Sequence, residues 1–153
     1  MREHVVNKPK NIGTAAETAV VRFLLSLGYD TTTVMRKTLA GASDVGDVWC
    51  HHADGTIIFE VKGGEAARTA SHAQIEAWLA EAAREKANAA LDTRVTPVLV
   101  TQRRGVGVGR AGDWTLWIDS NDLLGSVLGQ ERASFPISMK LRDFMGEFSA
   151  PQG

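Results

Sequence analysis

The chain has 153 residues, enough for one domain of ordinary size with a sizeable core. Its 44% hydrophobic content is that of a globular fold, no run of about 18 apolar residues suggests a membrane span, and the single cysteine, Cys50, excludes an internal disulfide. No apolar signal core follows Met1-Arg2-Glu3-His4, so a cytoplasmic location is expected, and a net charge of −1 argues against a broadly basic nucleic-acid surface.

The charge is unevenly spread. Residues 1–42 carry Arg2, Lys8, Lys10, Arg22, Arg36 and Lys37 against Glu3, Glu17 and Asp30. The segment from Arg103 to Arg110 adds Arg103, Arg104 and Arg110 with no acid.

Residues 1–12, polar and containing Pro9, read as an arm. Thr14 to Leu27 reads as a helix: Thr14 suits an N-cap, Val20, Val21, Leu24 and Leu25 recur at helical spacing, and Gly28 stops it. Tyr29 to Thr38 is rich in Thr and Val and predicts a strand. After the small-residue loop Ala40-Gly41-Ala42-Ser43, Val45 to His52 predicts a second strand, Asp54-Gly55 a hairpin turn and Thr56 to Lys62 a third strand. Gly63-Gly64 breaks it, and Ser71 caps a helix to about Ala90 with Ile75, Trp78, Leu79, Ala82 and Ala83 as its buried stripe. Pro97 to Val100 predicts a short buried strand, Arg103 to Gly112 a glycine-rich basic hairpin tip and Trp114 to Ile118 another strand. Asn121 to Leu128 and Met139 to Phe148 read as short helices. The order α-β-β-β-α-β implies an α/β fold with a mixed central sheet flanked by helices. A single domain over 1–153 is expected, its core about 12–119, with 120–153 as a helical extension.

The chemistry concentrates in Gly46-Asp47-Val48 and Glu60-Val61-Lys62. Side chains alternate along a strand, so Glu60 and Lys62 share a face that Val61 does not. Closing the hairpin at Asp54-Gly55 brings Asp47 level with Lys62 or a little beyond, within one or two residues of Glu60. Two carboxylates supply hard oxygen ligands for Mg²⁺ and leave room for water and a phosphate oxygen. A lysine beside them can orient the water or stabilise charge building on phosphorus. Taken alone, Glu-x-Lys is more often a same-face ion pair on an exposed strand, and Asp47 equally a turn residue; the joint pattern favours a site. Glu17 fits the capping box Thr14-x-x-Glu17, yet it also falls on the helix's core-facing stripe, where a carboxylate needs a partner.

Other motifs carry less. Gly107-Val108-Gly109-Arg110-Ala111-Gly112 matches GxGxxG, but a strand follows where a dinucleotide site needs a helix. Cys50-His51-His52 has no second Cys/His pair at zinc spacing. Trp49, Trp78, Trp114 and Trp117 are expected in the core rather than as base-stacking platforms, Trp78 more so than Trp114.

In ordered combination, Gly13-Thr14-x-x-Glu17, Val21-Arg22-x-Leu24-x-x-x-Gly28-Tyr29, Arg36, the 40–43 loop, Asp47-Val48, Ile58-x-Glu60-Val61-Lys62 and Gln74 resemble the PD-(D/E)xK nuclease superfamily, more narrowly the archaeal-type Holliday junction resolvases. The resemblance covers roughly residues 10–102. It implies a restriction-endonuclease-like αβββαβ core and a Mg²⁺-dependent endonuclease, with Mn²⁺ as a substitute, that cuts four-way DNA junctions as a homodimer. By that likeness Asp47 and Glu60 hold the metal, Val61 offers its carbonyl, Lys62 acts on the water and Glu17 is an outer ligand. Arg36, Ser43 and Gln74 are the expected DNA contacts, and the basic residues Lys10, Arg103, Arg104 and Arg110 are added to them. The family commonly has Ser or Thr after the lysine, where this chain has Gly63-Gly64. A restriction-like or repair nuclease on duplex or flap DNA, and a non-catalytic DNA-binding protein on the same scaffold, are the rival readings.

Overall fold

A computed structural model describes residues 8–36, 47–89, 94–124 and 134–152. Six strands form one open sheet in the order β1-β2-β3-β4-β5-β6. They are β1 Val34–Arg36, β2 Val48–His52, β3 Gly55–Lys62, β4 Val95–Thr101, β5 Thr115–Asp119 and β6 Pro136–Lys140. Only β3 and β4 run parallel, so the sheet is mixed and the fold is α/β. The β3–β4 crossover carries α2 (Gly64–Arg68) and α3 (His72–Ala89). Helices α1 (Lys8–Ser26), α4 (Ser120–Leu124) and α5 (Leu141–Met145) complete the set. Among the described residues no helix is long and apolar enough to cross a membrane.

Alternation along β3 sets the two faces. Ile57, Phe59 and Val61 join Val98, Val100, Leu116 and Ile118 under Ala16, Val20 and Leu24 of α1 and Leu141 and Phe144 of α5. The other face turns Ile58, Glu60 and Lys62 towards α3, where Ile75 and Ala82 are buried. Both sides of β3 are covered, and seven of its eight residues are buried.

Several elements depart from the sequence reading. Helix α1 begins at Lys8, well before Thr14, because a proline at the second helical position forfeits only an N–H that a first turn leaves free. Thr14 therefore sits exposed inside the helix and caps nothing. Among the described residues the strand expected from Tyr29 begins only at Val34. Asp30 Oδ1 accepts from the N–H groups of Thr32 (2.9 Å) and Thr33 (3.2 Å), and this Asx turn overrides the β-propensity of three threonines. The hairpin turns one residue earlier than expected, at Ala53-Asp54, and Gly55 already pairs with His52. A Cβ on Gly55 would run into the Arg94 carbonyl, so β3 can start there only with glycine. In α3, Ala83 is exposed and Glu85 takes its place on the buried stripe. The C-terminal part is helical only in part: α4 (Ser120–Leu124) covers the start of the expected Asn121–Leu128 helix, Pro136–Lys140 is the sixth strand, and the helix expected over Met139–Phe148 is confined to Leu141–Met145. Residues 103–112 are not a free hairpin tip, because Val108–Asp113 forms a kinked 3₁₀ segment whose Ala111 and Gly112 are buried.

Candidate active site

Asp47 directly precedes β2. Its N–H donates to the Phe59 carbonyl (3.1 Å), and its Oδ2 accepts from the Val61 N–H (2.8 Å). The pairing Val48↔Phe59 carries on to place Asp47 opposite Glu60, not Lys62. Shifting the turn by one residue moved every cross-strand partner by two, so Asp47 kept the face it was expected to share. Val61, expected to offer a carbonyl, is engaged by Asp47 through its N–H.

Glu60 is buried, 4% exposed, on the α3 face. Lys62 Nζ lies 3.2 Å from Glu60 Oε2 and 3.6 Å from Glu81 Oε2, and 5.5 Å above the Trp78 ring. Glu85, wholly buried on α3, adds its charge to that of Asp47 around the Glu60 carboxyl, and Glu81 acts on it through a side-chain hydrogen bond. Burial raises the Glu60 carboxyl far above the ordinary range, and Asp47, Glu85 and Glu81 reinforce the rise. Burial also raises Asp47; the Val61 N–H pulls it back, and the Glu17 charge adds to the rise. For Lys62, burial alone favours the neutral amine, but Glu60 and Glu81 outweigh it and hold the ammonium.

Glu17 is half-buried on α1 and faces Asp47 electrostatically. Its neighbours on the core side are Ala16 and Val20, so it flanks the apolar stripe rather than lying in it. The partner it needed is Arg36, whose Nη2 donates to Glu17 Oε1 at 2.8 Å while Nη1 donates to Thr18 Oγ1 at 3.2 Å. Arg36, expected on phosphate, is thus an ion-pair partner beside the site. A capping role for Glu17 is excluded, since α1 starts nine residues before it.

The remaining expected contacts scatter. Gln74 is exposed in the first turn of α3, four residues before Trp78. Arg103 and Arg104 line a cleft with Arg68 and His72, and Arg104 approaches Glu65 at 3.9 Å. Arg110 lies in a different cleft, against α1. The three arginines are therefore not one patch. Ser43 with its 40–43 loop, and the Lys10 side chain, fall outside the described residues. The tryptophan order is reversed: Trp114 is fully buried and donates to the Val106 carbonyl (3.0 Å), while Trp78 is half-buried under Lys62.

Sequence reasoning missed Glu81, Glu85 and Gln102. Residues 75, 78, 82 and 85 are spaced by three and four, so the α3 stripe itself pointed to Glu85. Gln102 Oε1 accepts from the Gly64 N–H (2.9 Å), and its own N–H donates to the Lys62 carbonyl (3.0 Å). Gly64, at φ +74°, opens α2 there, so the Gly63-Gly64 pair after the lysine makes the strand-to-helix turn.

The donor set fits a hard divalent ion. Mg²⁺ commonly uses one or two carboxylates and retains several waters, so an adjacent pair suffices. Glu60 Oε1 is buried and has no hydrogen-bond partner, a costly state that a cation would relieve. Among the described residues no group of three or more His, Cys, Asp or Glu side chains has the placement to hold a metal ion. Cys50-His51-His52 follows that pattern: Cys50 is buried, His51 Nδ1 is 2.7 Å from Thr56 Oγ1, and His52 packs edge-on against Phe148. No protein-family model and no curated protein matches the chain.

Proposed function

We propose that the chain is a Mg²⁺-dependent, structure-selective DNA endonuclease on a restriction-endonuclease-like core, with a four-way junction as its substrate and a homodimer as its working form. One observation carries the reading: Asp47 and Glu60 stand level across the β2–β3 pair with Lys62 3.2 Å from Glu60. Two desolvated carboxylates with one ammonium are poorly served by burial alone. They suit a divalent ion and a phosphodiester.

Asp47 and Glu60 would hold the ion, and Glu17 would stand behind Asp47 as an outer acid. The bound ion supplies an acidified water and offsets charge on the phosphate. Asp47 is fixed for this task by the bond its Oδ2 accepts from the Val61 N–H. Lys62 is aimed by Glu60 and Glu81 and braced on Trp78, so its ammonium protons can meet either the attacking water or a non-bridging phosphate oxygen. Arg36 neutralises Glu17 and keeps it from repelling the scissile phosphate.

The test is incubation of end-labelled four-way junction, flap, linear duplex and single-stranded DNA with Mg²⁺ or EDTA, beside the Asp47→Ala variant. Junction cutting that needs Mg²⁺ and Asp47 is the expected result. Cutting of linear duplex or flap in preference would move the substrate class to a restriction-like or repair nuclease. No cleavage of any substrate with Mg²⁺ or Mn²⁺, together with no ion binding by calorimetry, would leave only a binding protein.

A further inference from the structure

A second feature lies on the other face, between α1 and the 3₁₀ segment. It is a cleft of about 410 Å³ whose walls include Thr18, Arg22 and Phe23 of α1 and Arg110, Gly112 and Arg142 opposite. Charge is one-sided here. Arg110 (3.4 Å), Lys140 (3.9 Å) and Arg142 (2.8 Å) all turn to one carboxylate, Asp113. Arg22 is exposed on the facing helix. Arg142 lies 5.8 Å over the Phe23 ring, which holds its guanidinium plane at the cleft wall.

The glycines give a second observation. A Cβ on Gly107 or Gly109 would meet nothing within 4 Å, and neither residue has a positive φ. Packing and backbone geometry thus leave both glycines unexplained. A ligand backbone pressed against the segment explains them, since a side chain would hold it away. Both residues are exposed and sit beside Arg110.

Position links the cleft to the acid site. Thr18 lines it and accepts from Arg36, whose other nitrogen donates to Glu17. From Glu17 to Arg22 the helix rises about 7.5 Å, roughly two base steps of a nucleic-acid strand.

From these observations we infer that the α1–3₁₀ cleft is a phosphodiester-backbone site, which takes the DNA strand a few nucleotides from the scissile bond through Arg22, Arg110 and Arg142. The inference rests on the nuclease reading for its substrate, but it concerns different residues. Cations in excess of their one acid draw a polyanion, the cleft admits a strand, and the glycines allow close approach.

Fluorescence anisotropy with labelled junction and duplex, in EDTA and across a salt series, tests it. Arg22→Ala/Arg142→Ala is expected to weaken binding at least tenfold and to lower the salt slope by about 1.8, at about 0.9 for each phosphate no longer neutralised. Arg142→Lys, which keeps the charge, should retain most of the affinity, and Arg84→Ala on exposed α3 should change neither quantity. Gly109→Val, which meets open space, should cost affinity several-fold with an unchanged Tm. Unaltered affinity and slope in the double variant and in Gly109→Val would overturn the assignment. So would polyglutamate displacing DNA as well as unlabelled DNA does, since that marks an acidic-peptide site. The two readings fail separately. Junction cutting by wild type with DNA binding indifferent to Arg22 and Arg142 removes the cleft and keeps the nuclease. Cleft-dependent binding without cleavage in Mg²⁺ does the reverse.

Discussion

The two faces of the sheet treat charge in opposite ways. On the α3 side, Asp47, Glu60 and Glu81 gather around one ammonium with Glu85 behind Glu60, and the most buried of these acids are almost cut off from water. Beside α1, Arg110, Lys140 and Arg142 share the half-buried Asp113 and keep their own charges exposed to solvent. Burial makes the first imbalance expensive, because a desolvated carboxylate must find a cation or a proton. Exposure makes the second nearly free, because water screens it. The acid site is therefore left short of a cation, and the basic cleft carries an excess of cations that water screens.

The largest effect expected is on cleavage. Asp47→Ala and Glu60→Ala should each lower the rate of junction cutting by about 10³-fold or more, while DNA affinity in EDTA stays near wild type. Single-turnover cleavage assays and anisotropy on the same preparations separate the two. Wild-type cutting by either variant would dissolve the contrast, since the acids would then be mere structure.

Lys62→Ala comes next, with a fall of about 10²-fold in single-turnover rate if the ammonium serves the phosphate. Here structure and function can be confused, because Glu60 and Glu81 lose their counter-charge together. Lys62→Arg separates them: it retains the charge, so it should recover stability, measured as Tm, more fully than rate.

How much of this was readable from the chain depends on what each residue had to compete with. Asp47, Glu60 and Lys62 came through because strand parity survives an error in the turn, and reading the tip at Asp54-Gly55 instead of Ala53-Asp54 left the faces unchanged. The helical stop at Gly28 was equally secure, since φ +104° there suits glycine and little else. The Arg36–Glu17 pair was not legible because the two are nineteen residues apart and meet only through the packing of α1 on β1. Glu85 was overlooked for its polarity, although its spacing matched the stripe. Strand β6 escaped because its alternation is brief: only Ile137 and Met139 pack on the core, between exposed Ser138 and Lys140 at the sheet edge, and so short a period-two signal lost to the helical reading from Met139.

The pH dependence of the metal-free fold gives a moderate effect. Because Glu60 is raised above its ordinary value of 4.5, the folded chain keeps a proton that the unfolded chain has released. Below about pH 4.5 both states are protonated and Glu60 contributes no difference. Above it the folded state binds more protons, so stability falls as pH rises towards the folded value. Glu60→Gln removes that dependence. In EDTA the variant should match wild type near pH 4 and exceed it near pH 8 by about 1–3 kcal/mol in denaturant melts. Mg²⁺ should narrow the gap, because it stabilises only the chain that can hold it. A wild-type profile that rises with pH at the Glu60 position, cancelled by Glu60→Gln, would mean that the carboxylate is satisfied without an ion.

The smallest effect probes the other side. The Arg142 hydrogen bond, with Lys140 and Arg110 behind it, holds Asp113 below the usual carboxylate range. The three cations are about half exposed or more and only Asp113, 18% exposed, is partly sheltered, so Asp113→Asn should lower Tm only slightly. It would, however, release three cations at the cleft at once. DNA affinity should then rise a few-fold at low salt, and the salt slope should steepen, with both gains vanishing at high ionic strength. Acid-site variants cannot imitate that signature, because they leave the balance of cations and acid in the cleft unchanged. An affinity that falls in Asp113→Asn would mean that the carboxylate was arranging Arg142 and Arg110 for the strand instead of competing with it, and the cleft would then resemble the acid site in needing its counter-charge in place.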